Sequence, residues 1–179
     1  MIQNPKPKTG FTIIELLVVI GIITLLSTMA ILYSHTGERQ IILFQEQIKI
    51  LNALSRAKSL TINTFIQSDV PCGFGVHFDE SNNSFRIFRE LAIQPDCLDA
   101  DFQYSGASED FLVPEVFNLN PVITFDSLVV DDIIFYPPAP SVAILPGFQE
   151  EAIIGLKIIG STQPPVIIKV NKEGMITTQ

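Results

Sequence analysis

The tightest constraint on this chain is an apolar stretch near its start. From Phe11 to about Tyr33 the sequence FTIIELLVVIGIITLLSTMAILY carries one ionisable residue, Glu15. Roughly 23 residues at about 1.5 Å each make a helix of about 34 Å, enough to cross the hydrocarbon core of a bilayer. A carboxylate in such a span is disfavoured by about 2.5 kcal/mol or more near the bilayer centre, and by less toward the helix end. Glu15 therefore predicts a partner and a role.

Ahead of the span, residues 1–10 (MIQNPKPKTG) are polar and hold Lys6 and Lys8. Lysines before the span predict a cytoplasmic start and a body on the other side of the membrane. A secretory signal would place a small-residue cleavage site after the apolar run. Nothing of the A-x-A type follows Tyr33, and Ser27-Thr28-Met29-Ala30 is a weak substitute, so the apolar helix is expected to stay with the mature chain. The 179 residues leave room for one domain beyond the anchor. A net charge of -8 argues against a general nucleic-acid binder, which needs clustered Lys and Arg to neutralise phosphates. Cys72 and Cys97 both fall in the exported part. An even count there predicts one disulfide, with a pair of buried free thiols as the alternative. Two thiols without CxxC spacing make a poor metal ligand set.

Beyond the span the pattern turns amphipathic. Ile41, Phe44, Ile48, Leu51, Leu54, Ala57, Thr61 and Phe65 recur at three- and four-residue steps and are read as the buried stripe. Arg39, Gln40, Gln45, Gln47, Lys49, Asn52, Arg56 and Lys58 are read as the wet face. No proline interrupts residues 11–66, which predicts one helix of about 55 residues and roughly 80 Å, with a weak point at His35-Thr36-Gly37. The helix thus divides into a membrane part, 11–33, and an amphipathic part, 34–66. From 67 to 179 strand signals dominate: 74–78 and 84–89 joined as a hairpin through Asp79–Asn83, then 121–125, 128–136, 142–145, 152–159, 165–170 and 175–177. Residues 92–121 are acidic and irregular and are left unassigned. The fold class is α+β: a long N-terminal helix followed by a head of antiparallel, sandwich-like sheet.

The basic leader, the junction Gly10-Phe11, Glu15 at the fifth place after that junction and the apolar run together resemble the N-terminus of the type IV prepilin family, which includes the pseudopilins of type II secretion. The resemblance implies that a prepilin peptidase cuts after Gly10 and methylates the new amine of Phe11. The leader would then be residues 1–10. Glu15 would lie one helical turn from that ammonium, or near the ammonium of a neighbouring subunit, so that the pair lowers the cost of burying either charge and sets the axial register of a filament. The head is similar to the GspH/FimT type of minor pseudopilin and minor pilin in Leu54-Ser55-Arg56-Ala57-Lys58-Ser59, in Cys72-Gly73-Phe74-Gly75-Val76-His77-Phe78 and in Ile168–Ile176. That likeness implies a long helix followed by two antiparallel sheets, the pilin fold. The acidic 92–121 segment has no counterpart in it.

No catalytic constellation appears. His77 sits in an alternating strand pattern and reads as structural, and His35 has no evident partner. No nucleophile elbow, HExxH or phosphate-binding glycine loop is present. Asp131-Asp132 and Glu150-Glu151 point to opposite faces of a strand and read as solvated pairs. The acidic run at 96–110 lacks the spaced ligands of a calcium loop. The leading expectation is a non-enzymatic filament subunit without cofactor, whose partners are other pilins or pseudopilins, the prepilin peptidase and membrane lipid. The alternatives are a single-span protein whose head binds a ligand, and a minor pilin taking part in DNA uptake. The second alternative would rest on Lys157, Lys169 and Lys172 in an otherwise acidic head.

Overall fold

A computed structural model describes residues 10, 12–64, 71–91, 97, 100–106, 109, 116–137 and 141–179, with the backbone alone for 32–36 and 64. The chain divides between Arg39 and Gln40 into two units. One α-helix, α1, runs Ile13–Thr64, and its backbone stays helical through Gly37. In the first unit Ile13–Ile31 has a mean hydropathy of 2.4 and none of it is buried, which makes it long and apolar enough to cross a membrane. The hydroxyls of Thr24 and Thr28 donate to carbonyls one turn back, Ile20 and Thr24, at 3.0 and 2.8 Å. A polar group in hydrocarbon has to be satisfied this way, inside its own segment.

The second unit is the head. Its strands, nine among the described residues, are β1 (Gly73–Asp79), β2 (Ser84–Glu90), β3 (Val116–Asn118), β4 (Ile123–Leu128), β5 (Asp132–Tyr136), β6 (Ser141–Leu145), β7 (Glu151–Ile158), β8 (Val166–Asn171) and β9 (Ile176–Thr178). They form two antiparallel sheets, ordered β3-β2-β1-β5-β6 and β4-β7-β8-β9. The α+β class and the two-sheet head follow the sequence pattern, with two corrections. The run read as a single strand over 128–136 is two: Leu128 ends β4 in one sheet and Asp132 opens β5 in the other. The unassigned 92–121 segment contributes β3, whose Phe117 stacks on Phe85 of β2 with ring centroids 5.2 Å apart. The β1–β2 turn is held by Asp79, whose carboxylate accepts from Ser81 Oγ, Asn82 N–H and Asn82 Nδ2. Those hydrogen bonds bring its pKa down to about 2.

One core joins the three layers. Leu43, Ile50, Ala53, Leu54 and Ala57 of α1 pack with Phe78, Phe85 and Ile133 of the five-stranded sheet and Ile123, Ile154 and Leu156 of the four-stranded one. Thr61 stitches helix to sheet: its hydroxyl donates to Phe135 O at 3.0 Å and accepts the Phe74 N–H at 3.3 Å. Lys58 donates to Gly174 O, in the β8–β9 hairpin, at 2.9 Å. The stripe read in the sequence holds at Leu54, Ala57 and Thr61, which are buried, and fails over the preceding turns. Ile41, Phe44 and Ile48 are 60%, 55% and 54% exposed, whereas Leu43, Glu46, Gln47 and Ile50 are buried. The face the sheets accept over these turns runs through Leu43 and Ile50 and carries Glu46 and Gln47 with them. Phe65 lies outside the described residues. Glu46 is tolerated inside because Lys49, one turn on, closes an ion pair with it at 2.8 Å.

Two glycines on the outward side of β1 let the sheet fill its other face. A Cβ on Gly75 would stand 2.7 Å from both the Phe88 ring and Ile134 Cγ1, and one on Gly73 would stand 2.6 Å from the Phe135 carbonyl oxygen. Phe88 therefore lies flat across Gly75, its register partner. Gly73→Ala and Gly75→Ala are each expected to lower the unfolding free energy of the head by about 1–3 kcal/mol, the usual cost of overpacking. Urea titration followed by circular dichroism measures it, and a change below about 0.5 kcal/mol would show that the face has slack.

Candidate functional site

At the N-terminal junction, Gly10 is exposed and nothing stands within 4 Å of where its Cβ would be. Phe11, the other half of the junction, lies outside the described residues, as do residues 1–9. The helix then opens on a reciprocal cap. Glu15 accepts the Thr12 N–H at 2.8 Å and the Thr12 hydroxyl at 2.9 Å, while Thr12 Oγ1 accepts the Glu15 N–H at 3.3 Å. This is a capping box, T-x-x-E ahead of an apolar run, and it gives Glu15 a local partner in the uncut chain. The motif is legible in Thr12-Ile13-Ile14-Glu15, a local signal separate from the charged partner that the carboxylate predicts.

In the head, the outward face of the five-stranded sheet gathers its polar chemistry. Register sets Arg86, His77 and Asp132 side by side across β2, β1 and β5. Asp132 is 1% exposed and its Oδ1 lies 2.8 Å from His77 Nδ1, so it is a buried partner and not the solvated carboxylate expected. Tyr104 covers this row. Its N–H points at Asp132 Oδ2 at 3.4 Å, its ring lies 4.7 Å from His77, and its hydroxyl accepts from Arg86 at 2.9 Å. The next row is apolar: Phe88, Ile134 and Ala143 are buried beneath Phe102, Tyr104 and Tyr136. Residues 100–106, from the acidic segment, thus form a strap over the sheet. Cys97, just before it, is bonded to Cys72 at the start of β1, with Cα atoms 5.6 Å apart.

The third row holds Glu90, the last residue of β2. It is 1% exposed and neither carboxylate oxygen has a hydrogen-bond partner. Burial pushes its pKa up to about 7, helped by the charges of Asp101 and Glu109; the nearby amides of Phe102 and Asp101 oppose this without closing a hydrogen bond. Nothing in the sequence around Glu90 marks it, because its burial depends on a strap that is distant in pattern.

The arrangement offers no catalytic geometry among the described residues. Among the described residues no three His, Cys, Asp or Glu side chains are placed to hold a metal ion. An open groove beside Tyr136, Val142, Phe148 and Gln149 ends in Lys172, which is paired with Glu150. Lys157 and Lys169 are likewise paired, with Asp126 and Glu151. The three lysines are therefore neutralised one by one and form no basic patch.

Residues 5–31 match the family model described as the prokaryotic N-terminal methylation motif. The match covers residues 5–10, the junction and the apolar helix up to Ile31, and ends before the head. No curated protein and no solved structure matches the chain. At its N-terminus the chain is type IV prepilin-like, a kind of sequence processed by prepilin peptidase and built into structural, not enzymatic, proteins. The exposed apolar helix within the motif fits a membrane-anchored protein.

Proposed function

We propose that this chain is a minor subunit of a type IV pilus or a type II secretion pseudopilus. In this reading it is cut after Gly10, methylated on Phe11 and assembled with other pilins through α1, with its head outside the cytoplasm. The junction carries the reading: an exposed Gly10 stands ahead of a fully exposed apolar helix whose first turn holds Glu15. Cutting there would free an ammonium at Phe11, next to the capping box. Glu15 would then exchange a neutral donor for a charged one, its own or a neighbour's, and a charge-assisted bond is roughly twice as strong as a neutral one. A neighbour's ammonium would fix the stagger between subunits. In the head, Ile41, Phe44 and Ile48 of α1 are exposed apolar side chains, which supports packing against other helices. The pairing of Lys157, Lys169 and Lys172 speaks against DNA capture by the head.

Mass spectrometry of the membrane-extracted chain is expected to find N-methyl-Phe11 as the first residue; an intact Met1 in cells with active peptidase would overturn the reading. Two substitutions separate assembly from capping. Thr12→Ala removes only the cap, a loss of about 1 kcal/mol, and should leave incorporation into filaments close to normal. Glu15→Ala should abolish incorporation while the chain still reaches the membrane. Equal effects of the two would reduce Glu15 to a helix cap on a plain single-span anchor, whose head could then serve as a binding protein without assembly.

A further inference from the structure

We propose that Glu90 is a proton-operated latch for the strap formed by residues 100–106 with Glu109: with a proton on its carboxyl the strap lies closed over the outward face of the five-stranded sheet, and ionisation loosens it. The geometry is specific. Glu90 ends β2 beside Gly73, and Cys72 N–H donates to its backbone oxygen at 2.8 Å, so the disulfide-bearing residue and the carboxyl share one corner of the sheet. Both carboxyl oxygens are buried without a donor. A buried carboxylate in that condition is costly, whereas the protonated form carries no charge to desolvate.

The charges around it offer no compensation. From the strap, the charges of Asp101 and Glu109 act on it, and both are acids. Glu109 is itself buried and its Oε2 accepts the Ser105 N–H at 2.6 Å, so it belongs to the closed strap. From its own strand, Arg86 is engaged with Tyr104, and Arg89 alternates to the opposite side and is exposed. From β1 and β5, His77 and Asp132 are paired with each other. Asp96, Asp99 and Asp110 lie outside the described residues. An ionised Glu90 therefore meets like charge from the strap and finds no cation paired with it among the described residues. Moving the strap away is the relaxation that admits water. It would uncover Phe88, Ile134 and Ala143, which the strap aromatics now shelter.

The sign follows from the raised pKa. Unfolded, Glu90 titrates near the ordinary 4.5; folded, near 7. Its contribution to strap closure is fully present below about 4.5 and is lost as the pH climbs through about 7.

Amide hydrogen exchange of the full chain in detergent micelles with a chelator present, corrected for intrinsic exchange, reads the latch directly. Between about pH 5 and about pH 8 the opening of the Tyr104 and Ser105 amides is expected to rise on the order of tenfold or more, while amides of β7 stay protected. Glu90→Gln, which keeps the shape and cannot ionise, should flatten that rise. Asp101→Asn, which removes one repelling charge at an exposed position, should reduce it. Strap protection that is unchanged or grows with pH, parallel opening of β7, or an undiminished response in both variants would each overturn the latch. None of these outcomes bears on whether the chain assembles.

Discussion

Leu54→Ala is expected to lower the unfolding free energy of the head by about 2–5 kcal/mol, while Phe44→Ala and Ile48→Ala each change it by no more than about 0.5 kcal/mol. Leu54 is fully buried where α1 meets both sheets, so its truncation leaves a cavity that three layers would have to close. Phe44 is the larger side chain, and a ranking by size alone would make it the costlier loss. It is more than half exposed, and most of its surface is already in water. Urea denaturation of the full chain in micelles, followed through the sheet signal, measures both. The two stripe positions should instead register in assembly: the double variant Phe44→Ala/Ile48→Ala is expected to fold normally and to enter filaments poorly. If Phe44→Ala destabilises the head as much as Leu54→Ala does, the helix phase described above is wrong.

That contrast shows where sequence reading stops. The class, the two-sheet head, the β1–β2 hairpin and the apolar helix were legible because each rests on a local period or a turn signal. Asp79-Glu80-Ser81-Asn82-Asn83 can be read as a turn from its own residues, and its hydrogen bonds are local too. The phase of α1 was legible from Leu54 through Thr61 and not over the turns before it. There the row from Ile41 through Phe44 and Ile48 is the more apolar one, whereas the buried row from Leu43 carries Glu46 and Gln47, and only the sheets' shape selects it. Val116–Asn118 is too short to show alternation and becomes a strand because Phe85 offers Phe117 a ring to stack on. Asp132 and His77 are 55 positions apart and meet through register alone. Glu90 was hidden for the same reason, since an acid at a strand end looks solvated until a strap is laid over it. At the N-terminus the limit was of another kind. The charge of Glu15 points to a charged partner, the ammonium at Phe11 or a neighbour's, although a threonine three residues earlier already specifies a neutral one.

Replacing both cysteines, Cys72→Ser with Cys97→Ser, is expected to lower the stability of the head by about 3 kcal/mol, with the loss centred on the strap. The bond closes a loop between residues 25 apart, and chain-entropy arguments for loops of that length give a contribution of this size. Its position adds a second effect. Cys97 is the strap's near anchor, and beyond it Phe102, Tyr104 and Glu109 are held by ring contacts and a few hydrogen bonds. Without the anchor those contacts must hold the strap unaided, and contacts of roughly 1 kcal/mol each do not offset the entropy of ordering about ten residues. The strap amides should therefore exchange faster at every pH in the double variant, and the pH dependence assigned to Glu90 should shrink, because a strap already open has nothing left to release. Adding a reducing agent to the unsubstituted chain should reproduce both changes. A double variant within about 0.5 kcal/mol of the parent, with its strap still protected, would mean that the aromatic contacts alone hold the segment in place.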